Sequence, residues 1–262
     1  MATLKNTTIN DTGFLTVPTG NTAARPGSPV NGQVRYNTDS TVLENYANSA
    51  WVTPVVTSGL VMYLDPGNKA SYAGFGTTLR DLTGNGKNGL LINSPTYSAT
   101  SGGVFQFNGT NNYISVSTLN LVSGTYTVMG ASRYTGATRG RIISGLTNNW
   151  LLGNYSASTL NYYAVGWVTP AAATGPNDTT WRIYAGTGDT VGDSYSFYVN
   201  AALNTGPNAG GSAGPNGLSL GAYNGASEWT IGEIGFVLAY NRVLTAAEIY
   251  QNYNAFRARY SL

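Results

Sequence analysis

The residues with which this chain could do chemistry are its carboxylates, amides and aromatic rings, because the usual catalytic and metal-binding side chains are missing. Its 262 residues include no histidine and no cysteine. That removes imidazole proton shuttles, His-based triads, Cys-His pairs, thiolate or imidazole zinc sites and disulfides. Asp and Glu together number 11. Glycoside hydrolysis needs two carboxyl groups about 5–9 Å apart. Glu228 and Glu233 flank a Trp-Thr-Ile-Gly stretch, and an unbroken strand points them to opposite faces. Asp189 and Asp193 could share a face, but Gly188 and Gly192 beside them read as a loop. Neither pair reads as an acid/base couple. Glu233 reads instead as a strand residue satisfied by neighbouring backbone or an arginine. No enzymatic activity, cofactor or metal is expected.

Sugar recognition is the chemistry the remaining side chains suit. Trp150, Tyr155, Tyr162, Tyr163 and Trp167 fall close together, interleaved with Asn148, Asn149, Asn154 and Asn161. Aromatic faces stack on pyranose rings, and amides both donate to and accept from hydroxyls. The competing reading is that strand alternation sends half of these rings into a core. Arg133, Arg139 and Arg141, with Tyr134, form the densest basic group, but net charge is only +2. That group reads as a solvated loop, and no nucleic-acid partner is expected. The run "GTGDTVG" (186–192) lacks phosphate-loop spacing and reads as a turn.

Three segments must position these residues. Charged residues make up 9% of the chain, with 34 Gly and 19 Tyr, against a charged fraction of about 25% in ordinary globular proteins. A surface of amides, hydroxyls and phenols suits β-sheets, turns and permanent packing. Residues 1–20 read as an extended polar arm whose apolar cluster is Phe14, Leu15 and Val17; it cannot fold alone. Its start has no signal-peptide pattern, and no apolar run approaches the roughly 20 residues of a membrane span, so no membrane insertion is expected. Residues 21–58 read as a small β attachment module and linker. "QVRYN" and "TVLENYA" alternate with a period of two, and "AWVTP" supplies a third strand. Val34, Tyr36, Val42, Leu43, Tyr46 and Trp51 place apolar groups on both faces, which one small sheet cannot bury. A homo-oligomer, most simply a trimer, is expected. Residues 59–262 read as one all-β sandwich of many short strands bounded by Gly, Asn and Pro. It ends in a helix with Thr245 as N-cap and Glu248 at N3, a capping box. Ile249, Tyr253, Phe256 and Tyr260 form that helix's apolar face.

Two resemblances carry the reading further. "ARPGSPVNGQVRYNTDS" and "LENYANSAWVTP" resemble a module recurrent in phage tail-fibre and head-fibre proteins, lying between a virion-anchoring end and a distal domain. "GLVMYLDPGN.ASY", "LRDLTGNGKNG", "VFQFNGTNNYISV" and "IGEIGFVLAYNRVLTAAEIYQNYNAFRARY" resemble laminin-G-like, concanavalin A-like domains, which implies a two-sheet jelly roll. Members of that family bind sugars, bind proteins or decorate surfaces. Its glucanases carry an E-x-D-x-(x)-E strand signature that this chain lacks. Where many members hold calcium through acids in an "F-D-G-x-x-D-Y" loop, this chain has Phe107-Asn108-Gly109-Thr110-Asn111-Asn112-Tyr113. The expectation is a non-enzymatic virion protein, assembled in a host cytoplasm as a head decoration or short fibre. Phe14, Leu15, Val17 and the six module residues would attach it to other virion proteins and to its own copies. Host-glycan binding on a fibre is the alternative, and a glycan depolymerase the third reading.

Overall fold

The computed structural model describes residues 16–38, 42–47, 50–170 and 175–262. Phe14 and Leu15 lie outside the described residues, as does the side chain of Val42. The chain divides into two units, 1–54 and 55–262. The second starts at Val55 rather than Gly59, because the Val56 N–H donates to Asn252 Oδ1 (2.8 Å) and its carbonyl accepts from the Tyr240 hydroxyl (2.9 Å).

The first unit is a sheet of four short strands in chain order: β1 (Thr19–Gly20), β2 (Val34–Asn37), β3 (Val42–Ala47) and β4 (Ala50–Val52). The three expected strands are present. The fourth, β1, comes from the end of the arm and runs parallel to β2, with the Tyr36 N–H donating to the Pro18 carbonyl (2.8 Å). Register places Arg35 opposite Glu44, Tyr36 opposite Leu43 and Tyr46 opposite Trp51. One face therefore carries Arg35, Asn37, Glu44, Tyr46 and Trp51. The other carries Val34, Tyr36, Leu43 and Val52.

The polar face is the covered one. Residues 21–25 turn over it, with Asn21 capping a 3₁₀ turn at Thr22–Ala24. Arg25 and Glu44 form a two-bond pair (2.6 and 3.1 Å), and Asn37 Nδ2 donates to the same carboxylate (3.0 Å). Arg35 lies 3.7 Å from it and donates to the Asn21 carbonyl at 3.0 Å. The Arg35 guanidinium also sits 5.9 Å from the centre of the Trp51 ring, which meets Tyr46 edge-on. On the opposite face Val34 and Leu43 are 46% and 48% exposed.

The second unit is a sandwich of two sheets. The first has order β14 (Ser158–Ala164), β13 (Trp150–Tyr155), β12 (Ile143–Gly145), β18 (Asn216–Leu220), β10 (Tyr113–Asn120), β7 (Gly89–Ile92), β6 (Thr78–Leu79). The second has order β17 (Ala202–Asn208), β16 (Ser194–Val199), β15 (Arg182–Asp189), β11 (Thr125–Arg139), β19 (Thr230–Tyr240), β9 (Val104–Asn108), β8 (Thr96–Ser98). β19 pairs β9 through Ile231–Ile234 and β5 (Leu60–Leu64) through Val237–Tyr240. Between the sheets lies one apolar core with Leu64, Phe105, Ile114, Val128, Trp150, Tyr162, Tyr184, Phe197 and Val237.

The second sheet is buried on its other face as well. Met129, Ile183, Phe236 and Leu238 pack there under α1 (Ala246–Phe256) and the 3₁₀ turn that follows it. The capping box forms as read: Glu248 N–H donates to Thr245 Oγ1 (3.3 Å) and Thr245 N–H to Glu248 Oε2 (2.9 Å). Ile249, Phe256 and Tyr260 are buried, but Tyr253 is only half-buried. The buried position between them is Asn252, an amide whose bonds go to Val56 and Tyr240.

Candidate functional site

The five rings singled out in the sequence separate into two groups. Trp150 and Tyr162 have no exposure and belong to the core. Trp150 and Leu152 point inward on β13, and Tyr162 pairs with Leu152 from β14. Their polar atoms are consumed internally: Trp150 Nε1 donates to Tyr126 OH (3.2 Å), which bonds Tyr162 OH (2.8 Å), which donates to the Thr187 carbonyl (3.1 Å). Burial pushes the Tyr162 hydroxyl well above its ordinary pKa. These two rings cannot stack on a ligand. Three of the amides are structural too. Asn154 accepts from Ser132, Asn161 donates to the Gly153 carbonyl, and Asn148 holds Gly214 and Asn216.

The other three rings face outward and meet. Tyr163 sits beside Leu151 on the outer side of the first sheet. The register shift between Gly153 and Tyr155 brings Tyr155 to the same patch. Trp167 arrives from the turn after β14, in which Val165 holds a left-handed φ of 54° and Gly166 leaves no room for a Cβ against the Gly210 carbonyl. Trp167 then lies 5.0 Å from Tyr163 and 6.1 Å from Tyr155, centre to centre. All three rings are part-exposed.

Four further residues complete the patch, of which only Asn149 stood beside the aromatic run. The Arg141 guanidinium lies over Tyr155 at 5.1 Å and over Tyr223 at 4.3 Å. It pairs with the Glu228 carboxylate and donates to Asn149 Oδ1 at 2.7 Å. Arg141 and Glu228 are 87 positions apart, so no local pattern could have joined them. Each of the basic residues read as a solvated loop has a partner: Arg133 pairs with Glu233 (2.8 Å) and overlies Trp181, and Arg139 donates to the Gly136 carbonyl (2.8 Å) and to Asn177. Chemically the patch offers ring faces flanked by a neutralised ion pair and an amide. That can hold the apolar side of a sugar ring and bond its hydroxyls.

The described carboxylates are already engaged. Glu233 accepts from Arg133 and from Gln106 Nε2 (2.7 Å), the satisfied strand residue that was expected. Asp189 accepts the Val191 and Gly192 N–H groups in a turn. Asp81 accepts those of Tyr63, Thr83 and Lys87. In the 107–113 loop Asn108 Oδ1 accepts the Thr110 N–H (2.9 Å) and Asn112 Oδ1 accepts the Asn108 N–H (2.9 Å). Among the described residues no group of three or more acids could hold a metal ion.

Residues 108–250, more than half of the chain and most of the sandwich, match the sequence family described as the concanavalin A-like lectin/glucanases superfamily. The chain belongs to that family. Solved structures agree on its all-β fold. Trypanosoma rangeli sialidase in complex with sialic acid is 17% identical, with a TM-score of 0.55 over 85% of this chain and 44% of that one. The botulinum neurotoxin type G receptor binding domain is 15% identical, with a TM-score of 0.51 over 74% of this chain and 51% of that one. The chain thus spans about half the length of these structures, and at such identities the likeness is one of fold. No curated protein sequence matches the chain. The patch described above lies inside the matched stretch, on a lectin-like concanavalin A-like sandwich.

Proposed function

We propose that this chain is a non-enzymatic structural protein of a bacteriophage particle, a head decoration or short fibre. Its N-terminal segment attaches it, and its lectin-like sandwich is displayed. The observation that carries this reading is the first unit's arrangement. It covers an ionic cluster and leaves Val34, Tyr36, Leu43 and Val52 on its open face. A small sheet built that way gains little from its own packing and has apolar area left for neighbours. Its sequence is also the stretch that resembles phage fibre modules. The neighbours are other virion proteins and further copies of the chain, most simply in a trimer. The reading as non-enzymatic is supported by the described acids, which are already held by arginines and backbone.

Deleting residues 1–20 should leave the sandwich folded and abolish incorporation into particles. Full occupancy of the truncated protein on purified particles would sink the assignment. A reducing-sugar assay on host polysaccharides should find no turnover, and activity lost in Glu233→Gln would contradict the non-enzymatic reading. A second reading, host-glycan binding from the same particle, is favoured by the meeting of Tyr155, Tyr163 and Trp167 on one outer face. A glycan array with the wild type and Trp167→Ala decides it. Binding that survives the variant would place recognition elsewhere.

A further inference from the structure

Among the described residues, nearly every cation has a partner. Seven arginines pair with acids, Lys87 donates to the Thr118 carbonyl, Arg139 is bonded to Asn177, and Arg257 lies over Tyr253. Lys69 and Arg80 are left: among the described residues neither side chain has a hydrogen bond, ion pair or ring contact. Both line the same cleft of about 270 Å³, formed by residues 69–80 before, within and just after β6, and no acid lines it. In a chain this sparing of charge, two uncompensated cations facing one cavity are unusual.

The cleft is preformed. Its loop is pinned at the base, where Arg80 N–H donates to the Ser71 carbonyl (2.7 Å) and Ser71 Oγ to the Arg80 carbonyl (2.5 Å). Tyr72 packs against Phe105 at 4.9 Å and donates to the Gly76 carbonyl (3.2 Å). Gly74 and Gly76 take left-handed φ values of 98° and 94°, and so present Phe75 between them with 79% of its surface exposed. The residues lining the cleft thus include the two cationic residues, Thr77 and Thr78, and the exposed Phe75.

We propose that this cleft binds an anionic sugar, a uronate-type pyranose. Arg80 and Lys69 take the carboxylate, as guanidinium and ammonium groups do. Phe75 lies against the apolar face of the ring, and Thr77 and Thr78 bond its hydroxyls. The volume is just below the roughly 300 Å³ at which drug-sized sites begin, which suits one sugar unit. An inorganic anion would use the cations but leave Phe75 without a contact, so the sugar is the better fit. The site is separate from the Trp167 patch and stands without it.

Isothermal titration calorimetry on the full chain tests this with trigalacturonate, a neutral galactotriose and inorganic phosphate. Trigalacturonate should bind saturably, at least ten-fold more tightly than either of the others, and more weakly as salt screens the charges. Lys69→Ala/Arg80→Ala should lose at least ten-fold in affinity and Phe75→Ala several-fold. These side chains are exposed, so melting temperatures should hold, while Val191→Ala, at an exposed residue outside both sites, should leave trigalacturonate binding unchanged. No binding of trigalacturonate, equal binding of the neutral sugar or of phosphate, or loss in Trp167→Ala without loss in the double variant would overturn the proposal.

Discussion

In the sandwich the large side chains with no exposure include Trp150, Phe105, Phe197 and Leu64, and two buried acids each meet one arginine: Asp65 with Arg259 and Glu233 with Arg133. In the N-terminal unit the best-buried of the sheet's described side chains are Arg35, Asn37 and Glu44, while Val34 and Leu43 stand in the open. The contrast concerns where free energy comes from. Apolar burial is non-directional and scales with area, so a sandwich with two covered faces on one sheet stabilises itself. A buried ion cluster nearly cancels its own desolvation cost, so it adds little net stability but is costly to break. It fixes register, because only the observed alignment puts Arg35 opposite Glu44. The apolar area such a unit keeps outside is then available to a partner.

The largest effect expected is in the sandwich. Phe256 stacks on Phe236 with ring centres 3.6 Å apart. Phe256→Ala should cost about 3–5 kcal/mol, a drop in melting temperature on the order of 10 °C by calorimetry. Tyr253→Ala, on the half-buried flank of the same helix, should cost clearly less. Equal losses would mean that the helix packs through a different face. Next in size is Glu44→Gln, which leaves Arg25 and Arg35 without a counter-charge and should cost the first unit about 3–5 kcal/mol. Hydrogen exchange should accelerate in residues 16–54 and not in the sandwich core.

The same carboxylate gives a pH signature. Burial pushes the Glu44 pKa up, but hydrogen bonds from Arg25 and Asn37 and the charges of Arg25 and Arg35 outweigh it, so the net direction is down from 4.5. A group with a depressed folded-state pKa stabilises above its ordinary value and loses that contribution as pH falls through the folded one. Glu248, held at about 2 chiefly by Arg242, should do the same for the helix start. Protection of the amides in residues 16–54, with the intrinsic pH dependence of exchange divided out, should therefore fall below about pH 4.5 in wild type and hold in Glu44→Gln. A pH-independent wild type would place the unit's stability elsewhere.

How far the sequence reveals this contrast depends on the range over which residues cooperate. Period-two alternation exposed the strands at Val34–Asn37 and Val42–Ala47, and the Thr245/Glu248 spacing exposed the helix start, because both signals are local. It also placed apolar side chains on both faces of the first unit. Which face would be covered depended on residues 21–25 folding back over it, and that is not written in the alternation. The ring cluster was split correctly only by knowing the bulge at Gly153 and the tight turn at Val165–Gly166. Arg141 with Glu228, and Lys69 with Arg80 in one cleft, needed the tertiary fold.

A smaller effect on stability, but a decisive one for assembly, is expected from the open face of the first unit. Val34→Ser/Leu43→Ser alters side chains that are about half exposed, so the intrinsic stability of the fold should change by no more than about 0.5 kcal/mol per site. Sedimentation should nevertheless shift from oligomer to monomer. A wild-type chain that sediments as a concentration-independent monomer would remove self-association from the proposal. The face would then be left to other virion proteins.

The smallest expected effect is none at all, and it bears on the sandwich's self-sufficiency. A domain that owed its stability to a bound ion at the 107–113 loop would be no more autonomous than the first unit. Ca²⁺ takes 6–8 oxygen ligands and gains most from carboxylates. The loop has amides at Asn108, Asn111 and Asn112, and their oxygens are already spent: Asn108 Oδ1 on the Thr110 and Asn111 N–H groups, Asn112 Oδ1 on Asn108 N–H, Asn111 Oδ1 on Asn108 Nδ2. A cation would have to break those bonds and bring no charge compensation. Ligand stabilisation follows RT ln(1 + [L]/Kd), so millimolar Ca²⁺ on a micromolar site would add about 4 kcal/mol. EDTA and added Ca²⁺ should each leave the melting temperature within error of the untreated protein. A calcium-dependent rise of several degrees would show that the sandwich, too, depends on something it does not carry.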